Sequence, residues 1–197
     1  MKVFLGGTCN NSTWRDELIP MLTIDYFNPV VDDWTEDSME EEREQRELCD
    51  FCLYTITPEM TGVYSIAEVV DDSNKKPRET IFCLLGNADN GWTEGKYRSL
   101  NQVGEMVKRN GGKYFKSLEE IAKYLETENE RIDSMINGMK FKKGDNVKII
   151  NKKIREYGEM AIITNAYIEM NRECYIIDFK STSSLMLVWK DDIERIH

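Results

Sequence analysis

The stretch FCLYTITPEMTGVYSIAE, residues 51–68, joins two segments of different character. Residues 51–56 are mostly apolar and aromatic, which is typical of a buried strand, and an apolar segment with helical spacing begins near Ser65. The pattern predicts a helix that starts just beyond the carboxyl end of a strand, with Glu68 in its first turn. Because ligands bind at that edge of open α/β sheets, the sequence predicts a small-molecule site close to Glu68.

A second junction of the same kind lies near the N-terminus, where the strand-like residues 2–6 run into Gly7 and Thr8. Further strand-like runs occupy residues 24–31, 80–85 and 113–115. Helix-favouring segments fall between the strands, at residues 12–22, 38–48, 65 onward, 99–110 and 117–135. This alternation predicts an α/β fold with a doubly wound parallel sheet and helices on both faces.

The character of the sequence changes after Gly138. Short β-rich runs separated by turn-forming stretches predict a small all-β barrel, with strands at residues 146–150, 160–164, 174–179 and 185–189. The opening run 141–147 and the closing run 188–193 resemble those of SH3-like barrels. We therefore predict two domains, an α/β domain over residues 1–138 and an SH3-like barrel over residues 139–197.

The charge distribution supports the same boundary. Residues 140–197 carry 11 basic and 9 acidic residues, a net charge of +2, whereas residues 1–139 carry 15 and 27, a net charge of −12. The overall charge of −10 argues against nonspecific binding of DNA or RNA by the whole surface. A basic group near one end of the barrel could touch nucleic acid or protein, but a solvated face is the favoured interpretation of Lys142, Lys143, Lys148, Lys152, Lys153 and Arg155.

The cysteines and the single histidine exclude several kinds of chemistry. Five scattered cysteines predict reduced thiols in a cytoplasmic protein. The pair Cys49-x-x-Cys52 has no second pair to complete a metal site, so structural thiols are favoured. The only histidine is His197, which argues against histidine general-base chemistry and His-ligated zinc. The opening residues turn polar too early for a signal peptide, and no run approaches the roughly 18 apolar residues that span a bilayer.

Residues 1–85 resemble the nucleoside 2-deoxyribosyltransferase superfamily, particularly its phage and bacterial branch. Four pieces carry the resemblance: VFLGGT at residues 3–8, NSTWR at 11–15, FNPVV at 27–31 and GVYSIAE at 62–68. The resemblance covers less than half of the chain and implies a doubly wound α/β fold. It also implies cleavage or transfer at the N-glycosidic bond of a nucleoside or nucleotide, with no metal or organic cofactor.

In that superfamily a glutamate at the start of a helix attacks C1′ of the sugar and displaces the base, and the matching residue here is Glu68. This is the chemistry of a retaining glycosidase, in which a carboxylate captures an oxocarbenium-like centre. A helix N-terminus would keep Glu68 ionised, as a nucleophile requires. The alternative is that Ser65-x-x-Glu68 forms a capping box, in which the glutamate has no chemical role.

The resemblance implies a second carboxyl group, eight residues before an aspartate that opens the strand. Asp50 opens the strand here, and Glu42 lies eight residues before it. The superfamily usually has an aspartate at this position, and the glutamates that compete for the role are Glu40, Glu41, Glu44 and Glu47. The alternative is that this helix simply presents a solvated acidic face.

The first junction supplies candidate substrate-binding groups. Gly6, Gly7 and Thr8 would let the backbone approach a sugar or its 5′ group, or they form an ordinary strand-end turn. Arg15 is the charged donor best suited to a 5′-phosphate. Because an unphosphorylated nucleoside needs no such donor, the role of Arg15 bears on the choice of substrate.

Other candidate groups follow the second and third strands. Trp34 could stack on a base whose hydrogen-bonding edge Asp33 recognises, or both residues could belong to a surface loop. Gly62, Tyr64 and Ser65 lie in the piece that precedes Glu68, and the two hydroxyl groups could bind the sugar. Ser65 could equally serve only as a helix cap.

Two other classes of function stay open at this stage. The chain could be a non-catalytic binder of a nucleotide-derived small molecule, or an interaction protein that uses its C-terminal barrel. The resemblance implies a homo-oligomer, because members often complete the active site with residues of a neighbouring subunit. A nucleoside or nucleotide is the expected partner, a membrane is not expected, and nucleic acid is an unlikely partner on charge grounds.

Overall fold

The computed structural model describes residues 1–9, 11–31, 35–89, 91–169, 172–179 and 184–196. The chain divides into two compact units, Met1–Asn129 and Glu130–His197. Each unit is built on a five-stranded sheet of its own. No helix within the described ranges is long and apolar enough to cross a membrane.

Strands and helices alternate along the first unit. In chain order they are β1 (Lys2–Gly7), α1 (Trp14–Leu18), β2 (Asp25–Phe27), α2 (Glu36–Leu48), β3 (Phe51–Ile56), α3 (Tyr64–Lys75), β4 (Thr80–Leu84), α4 (Glu94–Asn110), β5 (Lys113–Phe115) and α5 (Leu118–Asn137). Neighbouring strands all run parallel, in the order β2-β1-β3-β4-β5. The predicted α/β class and parallel sheet are therefore confirmed. The order changes direction at β1 and β3, and such a switch point leaves a crevice at the carboxyl ends of the strands.

Alternate residues along the strands enter two separate apolar clusters, because successive side chains of a strand point to opposite faces. One cluster joins β1, β3 and β4 to α1 and α5, through residues that include Val3, Leu5, Leu53, Trp14 and Ile121. The other joins the same strands to α3 and α4, through residues that include Phe4, Tyr54, Phe82, Val69 and Val107. Both faces of the sheet are thus covered by helices, which makes the sheet edge the accessible place for a ligand.

Several predicted element boundaries differ from the structure, and three of them have a clear physical reason. Helix α4 begins at Glu94 instead of Ser99, where Thr93 caps it by accepting a hydrogen bond from Lys96 N. Its first turn is polar and exposed, so apolar periodicity gives no signal there. Helix α1 ends at Leu18 and continues as a 3-10 turn, Ile19–Met21. Strand β2 ends at Phe27, two residues before Pro29, whose nitrogen cannot donate to a sheet.

The second unit contains the four predicted strands and one more. They are β6 (Asn146–Ile149), β7 (Met160–Glu169), β8 (Arg172–Phe179), β9 (Ser184–Trp189) and β10 (Ile193–Arg195). They pair antiparallel in the order β10-β6-β7-β8-β9, and in the described part of the chain the end strands β9 and β10 do not pair with each other. Their buried side chains form a third cluster, which includes Phe141, Val147, Ile163, Tyr175 and Ile177.

All five cysteines are free thiols, of which only Cys9 is exposed. Burial raises the pKa of Cys49 and raises that of Cys52 to about 12, so both stay protonated near neutral pH. Buried, protonated thiols fit the structural role predicted for this pair and are poor nucleophiles and metal ligands.

Candidate active site

A cavity of about 160 Å³ lies at the carboxyl ends of β1 and β3, beside the beginning of α3. Two loops line it, and the lining residues are Gly7, Thr8, Cys9, Met60, Thr61, Gly62, Tyr64 and Ser65. Five of the predicted substrate-binding residues are among them: Gly7, Thr8, Gly62, Tyr64 and Ser65. The fold therefore brings the two predicted strand-to-loop junctions together at one concave surface.

The end of β1 is held tightly against the end of β3. Gly7 has φ +114°, and a Cβ atom at this position would lie 2.1 Å from the Thr55 carbonyl oxygen, so only glycine fits. Thr8 N donates to the same oxygen at 2.9 Å, and Thr57 N donates to Thr8 Oγ1 at 3.0 Å. These bonds fix the floor of the cavity and leave Thr8 buried within it.

Gly6 does not line the cavity. A Cβ atom at Gly6 would lie 2.9 Å from the ring of Phe4 and 3.0 Å from the ring of Tyr54. The absence of a side chain at Gly6 therefore accommodates the packing of these two rings, in place of the predicted approach to a sugar.

Arg15 is placed differently from the prediction of a phosphate-binding residue. Its guanidinium is buried, with Nε and Nη2 donating to the Leu5 carbonyl at 3.0 and 2.8 Å and Nη1 donating to the Thr8 carbonyl at 2.8 Å. The adjacent Trp14 Nε1 also donates to the Thr8 carbonyl, at 2.9 Å. Because its donors bind backbone oxygens, Arg15 stabilises the loop between β1 and α1 and is not among the residues that line the cavity.

Helix α3 begins two residues earlier than the capping-box alternative requires. Its first residue is Tyr64 and its N-cap is Val63, which makes no side-chain capping bond. Ser65 is thus inside the helix, and Glu68 lies in the second turn instead of the first. The predicted first-turn position was wrong, and Ser65 and Glu68 do not form a capping box.

Glu68 belongs to a network of charged groups between α2 and α3. Arg46 Nη1 donates to Glu68 Oε1 at 3.1 Å, and the side chains of these two residues are 14% and 11% exposed. The same guanidinium binds Asp72 in a bidentate manner, with Nε at 3.0 Å and Nη2 at 2.7 Å. The hydroxyl of Tyr54 also donates a hydrogen bond to Asp72, at Oδ2.

The sequence alone did not indicate Arg46, Asp72 and Tyr54 as residues of the site. The available signal was the spacing of charges, because Glu42 and Arg46 stand four residues apart on one helix and Glu68 and Asp72 stand four apart on another. Such spacing places each pair on one face of its helix, but it does not show that these faces of α2 and α3 contact each other.

Burial raises the pKa of Glu68 to about 7, although Arg46 lowers it and the nearby Glu42 and Asp72 raise it further. The expectation that a helix N-terminus would hold this carboxyl ionised was therefore wrong for the free protein. Desolvation outweighs the attraction of Arg46, and near neutral pH the protonated and ionised forms of Glu68 are both populated.

Glu42 is distinguished from the other glutamates of α2 by its burial. It is half-buried, whereas the competing residues are exposed: Glu40, Glu41, Glu44 and Glu47. Burial raises the pKa of Glu42, while Arg46 and Arg15 lower it. The negative charge of Glu42 also raises the pKa of Glu68. Glu42 and Glu68 thus both have raised pKa values and both experience the charge of Arg46. Glu68 lies on α3, the helix that also contributes Tyr64 and Ser65 to the cavity.

The raised pKa of Glu68 predicts a pH-dependent stability. Between the ordinary value of 4.5 and about 7, the folded protein binds more protons at Glu68 than the unfolded chain does, so the stability falls as pH rises through this window. In Glu68→Gln this contribution is absent. Urea unfolding from about pH 4.5 to about pH 8 should show wild type losing stability relative to Glu68→Gln as pH rises. A difference between the two proteins that is independent of pH would contradict the raised pKa.

Asp33 and Trp34, the predicted base-recognising pair, lie outside the described residues. Their role stays a prediction.

One comparison with known proteins bears on this site. The family model described as nucleoside 2-deoxyribosyltransferase like matches residues 1–85 of the chain. The matched segment runs from β1 to the end of β4, and it contains the cavity, Glu42, Arg46 and Glu68. No curated protein matches the chain. The similarity therefore concerns the part of the first unit that holds the candidate site, and not α4, α5 or the second unit.

Proposed function

We propose that the first unit cleaves or transfers at the N-glycosidic bond of a nucleoside or nucleotide, as a relative of the phage and bacterial nucleoside deoxyribosyltransferases. The observation that carries this proposal is the pair of carboxyl groups, Glu42 and Glu68, which both experience the charge of Arg46 and have raised pKa values. Neither carboxyl group is among the residues that line the cavity, but Glu68 follows the lining residues Tyr64 and Ser65 by about one turn of α3, within the segment that matches the family model. Retaining glycosyl transfer requires two such carboxyl groups in unequal protonation states.

Glu68 acts as the nucleophile in its ionised form. One of its oxygens bonds to C1′ of the sugar while the bond from C1′ to the base nitrogen breaks, and the base leaves with that electron pair. A proton from Glu42 neutralises the leaving base. Water or a second base then attacks C1′, Glu68 leaves as a carboxylate, and Glu42 takes back the proton that the incoming group releases.

Arg46 is the positioning residue of this mechanism. Its Nη1 holds Glu68 Oε1, while its bidentate contact with Asp72 fixes the guanidinium. The positive charge favours the ionised form of Glu68 and so opposes the effect of burial. The hydroxyl groups of Tyr64 and Ser65, which line the cavity, are available to bind sugar hydroxyls, whereas Thr8 Oγ1 already accepts a hydrogen bond from Thr57 N.

The described lining of the cavity supports an unphosphorylated nucleoside as the substrate. It includes no lysine, arginine or histidine, and the nearby Arg15 donates to backbone carbonyls instead. A 5′-phosphate would enter this site without a cation to balance its charge and beside the acidic Glu42 and Glu68. We expect nucleosides to be better substrates than their 5′-monophosphates.

Chromatography for free base tests the proposal. The protein is incubated separately with deoxynucleosides, ribonucleosides and their 5′-monophosphates, with and without a second base as acceptor. Release of base establishes glycosyl chemistry, and formation of a new nucleoside distinguishes transfer from hydrolysis. Failure to release base from any of them, at high enzyme concentration and long times, would count against catalysis on these substrates.

Glu42→Gln is expected to reduce the rate of base release by about a hundredfold, because the amide cannot protonate the leaving base. Glu41→Gln is the matched control, since Glu41 is its exposed neighbour on the same helix and should behave as wild type. The comparison uses kcat for one nucleoside. Equal rates for the Glu42→Gln and Glu41→Gln variants would remove Glu42 from the mechanism and leave the protonating group to another residue.

Binding without catalysis is the second candidate function. The observation that favours it is the engagement of Glu68 Oε1 by Arg46, together with the protonated fraction of Glu68 near neutral pH. Titration calorimetry distinguishes the two functions. A binder retains its affinity for a nucleotide-derived ligand in Glu68→Gln and releases no base, whereas an enzyme loses turnover in that variant.

For the second unit we propose an SH3-like barrel, supported by its short antiparallel strands; the boundary near Gly138 stays a prediction, since the two compact units meet within α5, between Asn129 and Glu130. The homo-oligomer implied by the resemblance is tested by sedimentation velocity, and a monomer at micromolar concentration would contradict a shared active site. A cytoplasmic location is proposed on the basis of the five free thiols.

A further inference from the structure

Positive charge is concentrated on β6 and the segments that flank it. Residues 140–159 contain seven Lys and Arg residues and three acidic residues, Asp145, Glu156 and Glu159, in a protein whose net charge is −10. Five of these cations are exposed and form no ion pair or hydrogen bond through their side chains in the described part of the chain: Lys143, Lys148, Lys152, Lys153 and Arg155. Lys148 stands opposite Glu194 in the pairing of β6 with β10. A cluster of exposed lysines and arginines is the usual electrostatic mark of a phosphate-binding surface.

The connection between β6 and β7, which carries three of the five cations, is an ordered platform. Lys153 N donates to Asn151 Oδ1 at 3.0 Å, and Asn151 Nδ2 donates to Asp192 Oδ1 at 2.6 Å. Gly158 N donates to the Ile149 carbonyl at 2.9 Å, which closes the connection. Ile154 packs against the core cluster of the unit. The exposed side chains around Ile154 are therefore held on a fixed backbone, which lowers the entropy lost on binding.

Exposed apolar side chains lie among these cations. Ile150, Tyr157 and Met160 are 40%, 51% and 66% exposed. Met160 is the direct cross-strand partner of Lys148, so these two side chains share one face of the sheet. A phosphate backbone alone would contact only the cations, whereas unpaired bases would also bury the apolar groups and stack on the tyrosine ring.

We propose that the second unit binds single-stranded nucleic acid through this surface, defined by Lys143, Lys148, Lys152, Lys153, Arg155, Ile150, Tyr157 and Met160. The cations contact phosphates, and Tyr157 stacks on a base. A paired duplex hides the faces of its bases, so a single strand matches both parts of the surface. Three exposed apolar side chains are too few for the continuous apolar core of a stable protein interface.

The acidic character of the whole chain does not oppose this binding. Charges separated by more than a Debye length, about 8 Å at physiological salt, are largely screened from each other. A strand bound at the β6–β7 connection therefore experiences mainly the charges of that connection, where Lys152, Lys153 and Arg155 outnumber Glu156 and Glu159. The expectation that nucleic acid is an unlikely partner rested on the net charge, which is the sum over the chain and does not describe one surface.

Fluorescence anisotropy with the full-length chain tests the proposal. The probes are labelled single-stranded RNA and DNA of roughly 20 nucleotides and a duplex of the same sequence, at salt concentrations from about 50 mM upward. We expect micromolar or tighter binding of a single strand at the lowest salt, and weaker binding of the duplex. Comparison of the RNA and DNA single strands shows whether the affinity depends on ribose or deoxyribose. Polyglutamate serves as a competitor without phosphates or bases.

Charge reversal identifies the surface. Lys152→Glu, Lys153→Glu and Arg155→Glu combined should weaken binding at least about tenfold and reduce the salt slope by about 2, because three phosphate contacts are lost. The matched control reverses three exposed cations of the first unit, Lys96, Arg98 and Lys123, and should bind as wild type does. Tyr157→Ala should weaken single-strand binding at least about fivefold through the lost stacking.

Several outcomes would overturn the proposal. They are no binding of either single strand at the lowest salt, equal weakening by the two triple variants, displacement by polyglutamate as effective as by the oligonucleotide itself, and unchanged affinity in Tyr157→Ala. All the substituted side chains are exposed, so circular dichroism and thermal melting should show folded variants and keep these outcomes interpretable.

Discussion

Replacing Glu68 with glutamine is expected to reduce the rate of base release by more than about a thousandfold, because the amide oxygen cannot form the glycosyl-enzyme bond. Glutamine keeps nearly the same shape, and its carbonyl can still accept the hydrogen bond from Arg46. The expected loss is therefore chemical and not a consequence of unfolding. The measurement is kcat for the best nucleoside, by chromatography, in wild type and Glu68→Gln.

Asp71→Asn is the matched control for this substitution. Asp71 is an exposed carboxylate on the same helix, and its partner is Lys75 at 2.7 Å. Removing its charge changes the net charge of the protein by the same amount without touching the network of Arg46. We expect Asp71→Asn to have the kcat of wild type.

Intact-protein mass spectrometry adds an independent readout. A slow or fluorinated nucleoside should add the mass of one sugar to wild type and to Asp71→Asn, but none to Glu68→Gln. If Glu68→Gln still accumulates the sugar adduct or retains most of its turnover, Glu68 is not the nucleophile. The proposed mechanism would then be wrong even if the protein releases base.

Arg46→Ala is expected to lower the free energy of unfolding by about 3–5 kcal/mol, the effect of removing one partner of a buried ion pair. The side chain of Asp72 is only 2% exposed and receives two hydrogen bonds from Arg46. Without Arg46, Asp72 keeps only the Tyr54 hydroxyl among these partners. Glu68 loses its ion pair in the same step. Urea unfolding at constant m-value measures the loss.

Two further substitutions make this test specific. Arg43→Ala removes an exposed arginine from the same helix and should change stability by no more than about 0.5 kcal/mol. Arg46→Lys should fall between wild type and Arg46→Ala, because an ammonium cannot bind both Asp72 oxygens in the bidentate manner of a guanidinium. A loss in Arg46→Ala no larger than that in Arg43→Ala would show that the network does not stabilise the fold.

Much of the first unit could be predicted because its central strands are buried on both faces. Strand β3 is buried at every position from Phe51 to Ile56, and such a strand appears in the sequence as a continuous apolar run with predictable ends. The first turn of α4 lacked this signal because it is polar and exposed. The short strand β10 was missed, since only Ile193 of its three residues is buried.

The chemistry of the candidate site was only partly accessible from the sequence. Glycines and hydroxyl groups after two strands predicted the cavity, because parallel strands bring their carboxyl ends to one edge. The contacts of Arg15 with the Leu5 and Thr8 carbonyls could not be predicted from the sequence. A guanidinium that binds carbonyls of its own loop has the same sequence signature as one that binds phosphate, so the partners of Arg15 depend on how the chain closes around it.

By itself, the sequence determined the alternation of strands and helices, the meeting of two junctions at one sheet edge, and the change to a β-rich second unit. These features follow from local periodicity and burial, which each segment carries in its own residues. Only the tertiary structure decided that Arg46 joins Glu68 to Asp72, that Glu42 is half-buried while its neighbours are exposed, and that burial raises the pKa of Glu68 to about 7. Desolvation and ion pairing depend on which helix faces meet, and that packing is determined by residues that are distant from one another in the sequence.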